Sequence, residues 1–306
     1  MGDLRPILVT GAAGGVGAVG RAVVELLRQD SLPVRALVHR EDSRAERLRA
    51  TGAEVVVGDL TRAPDVLRAV DGCRRMYFGM SVSAQYLEGA LTTAAVARHY
   101  GGLDAFVNIS QMTVSQMTFS STAESTQQRH HWLTEQALNW SGLPVIHLRP
   151  TAFLENPLFT VFMFASIQKD GTIRLPFGSA RTSPIAAHDV AEAAASLLRS
   201  PEGHIGKTYE LTGPQSRDLA TMAGELTQLL DRPVTYLDIP LGQWIDQYLR
   251  PQNLPPHLFD HLATMARLHA ENRYDRQTGD YTLLTGKPAS DFRAFLNLHP
   301  EFRERD

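Results

Sequence analysis

Among 306 residues the chain has one cysteine, Cys73. That excludes an intramolecular disulfide and a cysteine-cluster metal site, and it leads us to expect a reducing, cytoplasmic setting. Lysine is almost as scarce. Lys169, Lys207 and Lys287 are the only three, so 27 of the 30 basic residues are arginine. No apolar run approaches the roughly 18 residues of a membrane-spanning helix, so no membrane partner is expected. The opening MGDLRPILVTG has no basic stretch leading into an apolar one, and no signal peptide is expected. With a net charge of -3 there is no positive field to draw in nucleic acid. What remains, 43% apolar and 21% charged, is ordinary globular composition. The length allows one large α/β domain with a smaller lobe.

The first half alternates strand and helix patterns. Strands are expected at 6–10 (PILVT), 33–38, 53–57, 74–78, 103–109 and 144–148. Helices are expected from Val19, where Ala22, Val23, Leu26 and Leu27 follow at helical spacing, and at 43–50, 61–70, 83–100 and 122–140. This alternation implies a parallel sheet with right-handed crossovers, a Rossmann-type doubly wound α/β fold. After Pro150 the pattern changes. A very apolar helix is expected at 156–169, another at 188–199, a last sheet strand at 207–211, and a mainly helical remainder with one strand near 233–239. We therefore expect a dinucleotide domain over 1–150, completed by about 188–212. A smaller, mainly helical substrate lobe would come from 151–187 and 213–306. Residues 111–128, rich in Ser, Thr, Gln and Met, read as a low-order active-site loop.

Residues 10–17 read TGAAGGVG, between a strand and a helix. Gly11 permits the tight turn, Gly14 lets backbone approach a pyrophosphate, and Gly17 allows close helix packing. Gly15 and Val16 complete a cradle at the helix N-terminus, whose free N–H groups favour phosphate. The spacing is Gly-x-x-Gly-x-x-Gly. The second strand ends in ALVHRED. An NAD-selective site places an acid near this point for the ribose 2′-OH, whereas here stand His39 and Arg40. The fork of Arg40 suits a 2′-phosphate. A solvated Arg40, with Glu41 or Asp42 on the ribose, is the other reading. NADP(H) is thus the expected cofactor, with NAD(H) still open. Asp59, beside Leu60 after the third strand, is placed to accept from the adenine amino group, and Gly79 and Met80 to flank the adenosine side.

These segments, together with HHWLTEQALNWSGLPVIHLRPTAFLEN and LLTGKPASDFRAFL, resemble the NmrA-like group of atypical short-chain dehydrogenase/reductases over nearly the whole chain. The resemblance implies cofactor roles for Arg40 and Asp59. It also implies that Asn108, Ser110 and the segment from Pro150 to Phe153 border the nicotinamide. The group includes NADPH-dependent quinone reductases, NADP-sensing regulators without turnover, and aromatic polyketide tailoring enzymes. The wider superfamily relies on Ser with Tyr-x-x-x-Lys. Here no tyrosine lies between Tyr100 and Tyr209, and no lysine precedes Lys169. Gln127 and His131 stand where that tyrosine and lysine would be.

Ser110 is a candidate to hydrogen-bond a substrate oxygen, or else a strand-end cap. His131 is a candidate proton donor, or a contact to the cofactor ribose. Gln111, Met112 and Thr113 are expected over the nicotinamide. Met112, Met117, Phe119, Phe153, Phe159, Phe162 and Phe164 are candidates for a flat apolar pocket, but most of the phenylalanines read as lobe core with about two facing a ligand, and Asn156 is expected at the substrate. His188 and Asp189 read as a helix cap. No metal is expected. The implied function is an NAD(P)H-dependent oxidoreductase acting on a quinone or polycyclic aromatic ketone, as a tailoring reductase or a reduction-primed oxygenase, in a monomer or homodimer. The alternative is a non-catalytic NAD(P)-binding redox sensor.

Overall fold

The computed structural model describes residues 5–15 and 17–303. Seven strands form one parallel sheet: β1 (Ile7–Val9), β2 (Val34–Val38), β3 (Glu54–Val57), β4 (Arg75–Phe78), β5 (Ala105–Ile109), β6 (Val145–Pro150) and β9 (Thr208–Leu211). Their order is β3-β2-β1-β4-β5-β6-β9. The order reverses between β1 and β4, the switch point where such sheets open a ligand crevice at their carboxyl ends. Thr10 ties these two strands together there. Its hydroxyl donates to the Gly79 carbonyl at 2.9 Å and accepts from the Gly79 N–H at 3.0 Å.

Both faces of the sheet are covered, which is why the strands are nearly continuous apolar runs. One face packs on α1 (Val19–Gln29) and α8 (Ala187–Arg199), with a core of Val9, Val23, Leu27, Val107, Val190 and Leu197. The other packs on α3 (Ala63–Val70), α4 (Tyr86–Tyr100) and α5 (Thr126–Trp140) through Leu8, Met76, Phe78, Phe106 and Leu138. A separate lobe core joins Leu154–Phe177 residues to later helices through Phe159, Phe164, Ile173, Leu226, Trp244 and Leu268. Here β7 (Thr172–Leu175) pairs in parallel with β11 (Thr235–Asp238).

Several boundaries differ from expectation for identifiable reasons. Helix α5 begins at Thr126, four residues later than expected, because Ser125 and Gln128 form a capping box. Residues 111–128 are less disordered than their composition suggests: Met112–Gln116 forms a 3-10 turn with Met112, Thr113 and Val114 buried. The apolar helix at 156–169 is interrupted by a π-helical turn over Thr160–Phe164. Residues 213–306 do not all belong to the lobe, since α12 (Asp280–Thr285) returns Tyr281 and Leu284 to the sheet-side core. Asp189 does not cap α8. Glu155 does so, accepting from the Ala187 N–H at 2.9 Å, while Asp189 holds the Ser290 N–H and hydroxyl, each at 2.7 Å.

Candidate functional site

A cavity of about 350 Å³ runs from the glycine turn at the end of β1 to the lobe. Its first part is backbone. Gly11, Gly14, Gly15, Ala18, Val19 and Gly20 line it, opposite Gly79, Met80 and Ser81. Gly11 sits at φ 67°, and a Cβ there would lie 2.5 Å from the Gly79 carbonyl oxygen. Gly20 in α1 allows equally close packing, since its Cβ would lie 2.7 Å from the Gly11 oxygen. That is the helix-on-turn contact expected of Gly17. Gly17, at φ 63°, instead lets Ala187 of α8 approach, and a Cβ there would meet the Ala187 Cβ at 2.5 Å. Val16, expected at the cofactor, lies outside the described residues.

Helix α1 has no side-chain cap and no acid in its first turn. Its first N–H groups are therefore left for an anion, and Gly15, with nothing within 4 Å of an added Cβ, leaves room beside them. The residues present thus fit a dinucleotide pyrophosphate. Beyond β2, His39 and Arg40 are exposed. The acids of ALVHRED are both engaged: Glu41 pairs with Arg49 at 2.9 Å, and Asp42 caps the next helix and pairs with Arg44 at 3.0 Å. Arg44 also donates to the Ala13 carbonyl in the glycine turn at 2.9 Å, so a second arginine reaches this corner. The Asp59 carboxylate holds the Thr61 N–H and hydroxyl, contacts that lower its pKa. Asp59, Leu60, His39 and Arg40 do not line the cavity. Leu60 packs beside Met80 against Gly89.

Farther in, the wall is Ile109, Ser110, Gln111, Gln127, His131, Pro150, Phe153 and Asn156 from the sheet side, and Leu258, His261, Leu262, Met265 and Tyr274 from the lobe. Ser110 Oγ, Gln111 Nε2 and Tyr274 Oη are buried without a hydrogen-bond partner. Gln127 Oε1 accepts from the Ser83 N–H and from His257 Nε2, which turns the Gln127 amide nitrogen toward His131 Nε2 at 3.2 Å. His131 Nε2 must therefore accept, so its proton sits on Nδ1 and is donated to Tyr86 Oη at 2.9 Å. Burial, with His261 and His130 nearby, lowers its pKa to about 3. Of the two roles read for His131, proton donor and ribose contact, the first does not fit this arrangement, because both ring nitrogens are occupied and the ring is neutral.

The sequence of this site has known counterparts. A family description, NAD(P)H-binding, matches residues 14–201. The chain is 30% identical over 291 residues to an NAD(P)H azoreductase of Xenophilus azovorans, covering 94% of this chain and 96% of that one. The chain belongs to the NAD(P)H-binding family. A (4-alkanoyl-5-oxo-2,5-dihydrofuran-3-yl)methyl phosphate reductase of Streptomyces griseus is also 30% identical, over 96% of this chain and 98% of that one. The fold matches an Escherichia coli NADPH-dependent quinone oxidoreductase solved with NADPH, with a TM-score of 0.82, 24% identity, and coverage of 96% of this chain and 99% of that chain. This chain binds NAD(P)H and is an NAD(P)H-dependent oxidoreductase.

The fold gathers some of the expected site residues and not others. Gly11, Gly14, Gly15, Gly79, Met80, Ser110, Gln111, His131, Pro150, Phe153 and Asn156 share the cavity. Asn108 does not reach it. It is buried, with its amide nitrogen 3.0 Å from His147 Nδ1 on the neighbouring strand. Met112 belongs to the lobe core, and Met117 is buried off the cavity wall. Phe159, Phe162 and Phe164 are also lobe core, while Phe119 is 91% exposed. The apolar wall comes instead from Leu258, Leu262 and Met265 on α11 (Pro256–Ala270), which sequence reasoning missed. No motif marks that helix, which packs on α5 and lines the cavity from there.

Proposed function

We propose that this chain uses NADPH in preference to NADH to reduce a neutral, conjugated acceptor of the quinone or polycyclic aromatic ketone type. The observation that carries this reading is the cavity wall. Among the described residues it holds no Asp, Glu, Lys or Arg, and its polar groups are hydroxyls, amides and histidines. His131 and His261 are kept neutral by burial, with pKa values lowered to about 3 and about 4. A charged substrate would lose its hydration here without gaining a counter-charge. A flat neutral one gains apolar contact with Phe153, Leu258, Leu262 and Met265 and hydrogen bonds from the unpartnered polar groups.

Bound NAD(P)H supplies a hydride. The chain's own residues hold the acceptor against it: Ser110 offers a hydroxyl at the end of β5, and Gln111 an amide beside it. Reduction of a quinone leaves charge spread over the ring, so it needs less acid assistance than reduction of an isolated ketone. That suits a site with Gln127 and His131 where the superfamily has Tyr and Lys. The preference for NADPH is supported by the free Arg40 and by Arg44, with Glu41 and Asp42 already paired.

The test is a comparison of acceptors under saturating NADPH: neutral naphthoquinones, a sulfonated naphthoquinone and a cationic triarylmethane dye. We expect kcat/KM for the neutral quinones to exceed the charged acceptors by about 10-fold or more, the scale of an uncompensated buried charge. Faster reduction of either charged class would overturn the reading.

A further inference from the structure

Tyr274 has a feature that the family relay does not explain. It follows α11 on the lobe side, is 2% exposed and lines the cavity; the Gln128 side chain lies close enough to donate to its oxygen, while its own O–H proton has no acceptor. A buried O–H proton without an acceptor costs free energy unless a ligand supplies one. Its direction is fixed. The Tyr274 ring stacks on His269 at 3.8 Å and 8°, and His269 stacks on Phe177 at 4.2 Å and 9°. His269 is itself held by the Met265 carbonyl, 2.8 Å from its Nδ1. The nearby Arg273 is occupied by Glu124 at 3.0 Å and by Gln116.

We propose that Tyr274 donates a hydrogen bond to the oxygen of the bound acceptor, filling from the lobe the place of the tyrosine that is missing from α5. The proposal rests on the reductase reading above. It assigns the acceptor an oxygen, on which Tyr274 from the lobe and Ser110 from the sheet converge. Hydride addition brings two electrons and one hydrogen to the acceptor and leaves negative charge on this oxygen. The phenol steadies that charge without giving up its proton, and the hydroquinone anion takes its proton from water after release. Burial raises the phenol well above its ordinary value, against the smaller effects of Gln128 and Arg273. Tyr274 therefore acts as a neutral donor throughout the working pH range.

The test is Tyr274→Phe, which keeps the stacked ring and removes only the hydroxyl. Thermal unfolding should change little, because the phenol proton has no acceptor to lose and only the approach of Gln128 goes with the hydroxyl. For a neutral naphthoquinone, kcat/KM should fall about 10- to 100-fold, the range for losing a donor to developing charge. For a triarylmethane dye, which has no acceptor oxygen and is reduced at carbon, it should change by less than about 3-fold. Independently of turnover, a naphthol titrated into the NADP⁺-saturated protein should bind the variant about 5- to 10-fold more weakly than the wild type. Absence of quinone turnover in the wild type would overturn the reductase reading, and the naphthol titration would still decide the contact. Unchanged quinone kinetics and naphthol affinity, or an equal loss for both acceptors, would overturn the role of Tyr274.

Discussion

The Gln127 side-chain nitrogen lies 3.2 Å from His131 Nε2, and this contact fixes which ring nitrogen of the histidine carries the proton. Four residues apart on α5, the two form a closed polar chain with Tyr86 and His257 rather than a proton relay.

It follows that His131 positions the wall rather than delivering protons. Replacing it with Leu should lower kcat for a quinone by less than about 10-fold, where loss of a general acid costs about 100- to 10,000-fold. The pH profile of kcat between pH 5.5 and 8 should have the same shape in both proteins. A limb near pH 6.5 that disappears in the variant would show that His131 titrates in turnover after all.

The adenosine corner gives a second prediction. Arg40→Ala should raise the NADPH dissociation constant by about 10- to 100-fold while changing that for NADH by less than about 3-fold, as expected for a charge-assisted contact to a 2′-phosphate. Arg44→Ala should show the same preference to a smaller degree, since this residue also holds Ala13 and Asp42. Equal losses for the two cofactors, measured by titration, would contradict the assignment.

The glycines of the turn should separate by role. Gly11→Ala and Gly20→Ala would place a Cβ 2.5 and 2.7 Å from backbone oxygens, and both should destabilise the fold. At Gly11 the left-handed backbone adds to the cost, giving about 1–3 kcal/mol. Gly15→Ala meets nothing within 4 Å and should leave the unfolding temperature unchanged while weakening cofactor binding through the cavity it lines. A loss of stability at Gly15 as large as at Gly11 would argue against this division.

Acid stability carries the mark of the buried histidines. Burial lowers His131 and His269 to about 3 and His261 to about 4, all below the ordinary value of 6.5. Because the unfolded chain binds these protons first, their stabilising contribution is complete above about pH 6.5. It falls as the pH drops toward their folded values. Each should steepen the loss by up to about 1.4 kcal/mol per pH unit between about pH 6 and 4. Urea unfolding across that range should show His269→Phe with a shallower slope than the wild type.

The parallel sheet was legible in the sequence because its strands are buried on both faces, and the apolar runs PILVT and PVIHL carry that burial directly. The glycine turn was legible because Gly11 has a backbone demand that other residues meet poorly. Ser110 and Gln111 were readable from their place after β5. The lobe's share was not. Leu258, Met265 and Tyr274 reach the cavity by a long-range fold of α11, and periodicity reports which face is buried without saying against what. The Phe159–Phe164 run reads chiefly as lobe core, and its three phenylalanines do fill that core. The polar composition of 111–128 concealed both the buried 3-10 turn at Met112–Gln116 and the Ser125–Gln128 cap that starts α5.

The most direct test of the central claim is NADPH oxidation with a neutral naphthoquinone under anaerobic conditions, followed together with formation of the hydroquinone. The account predicts turnover with one hydroquinone formed per NADPH consumed, slower with NADH, and the same initial rate when oxygen is admitted. Tight NADPH binding without oxidation across a broad range of quinones and polycyclic ketones would contradict it, and would mark the chain as a sensor of the cofactor rather than a user of it.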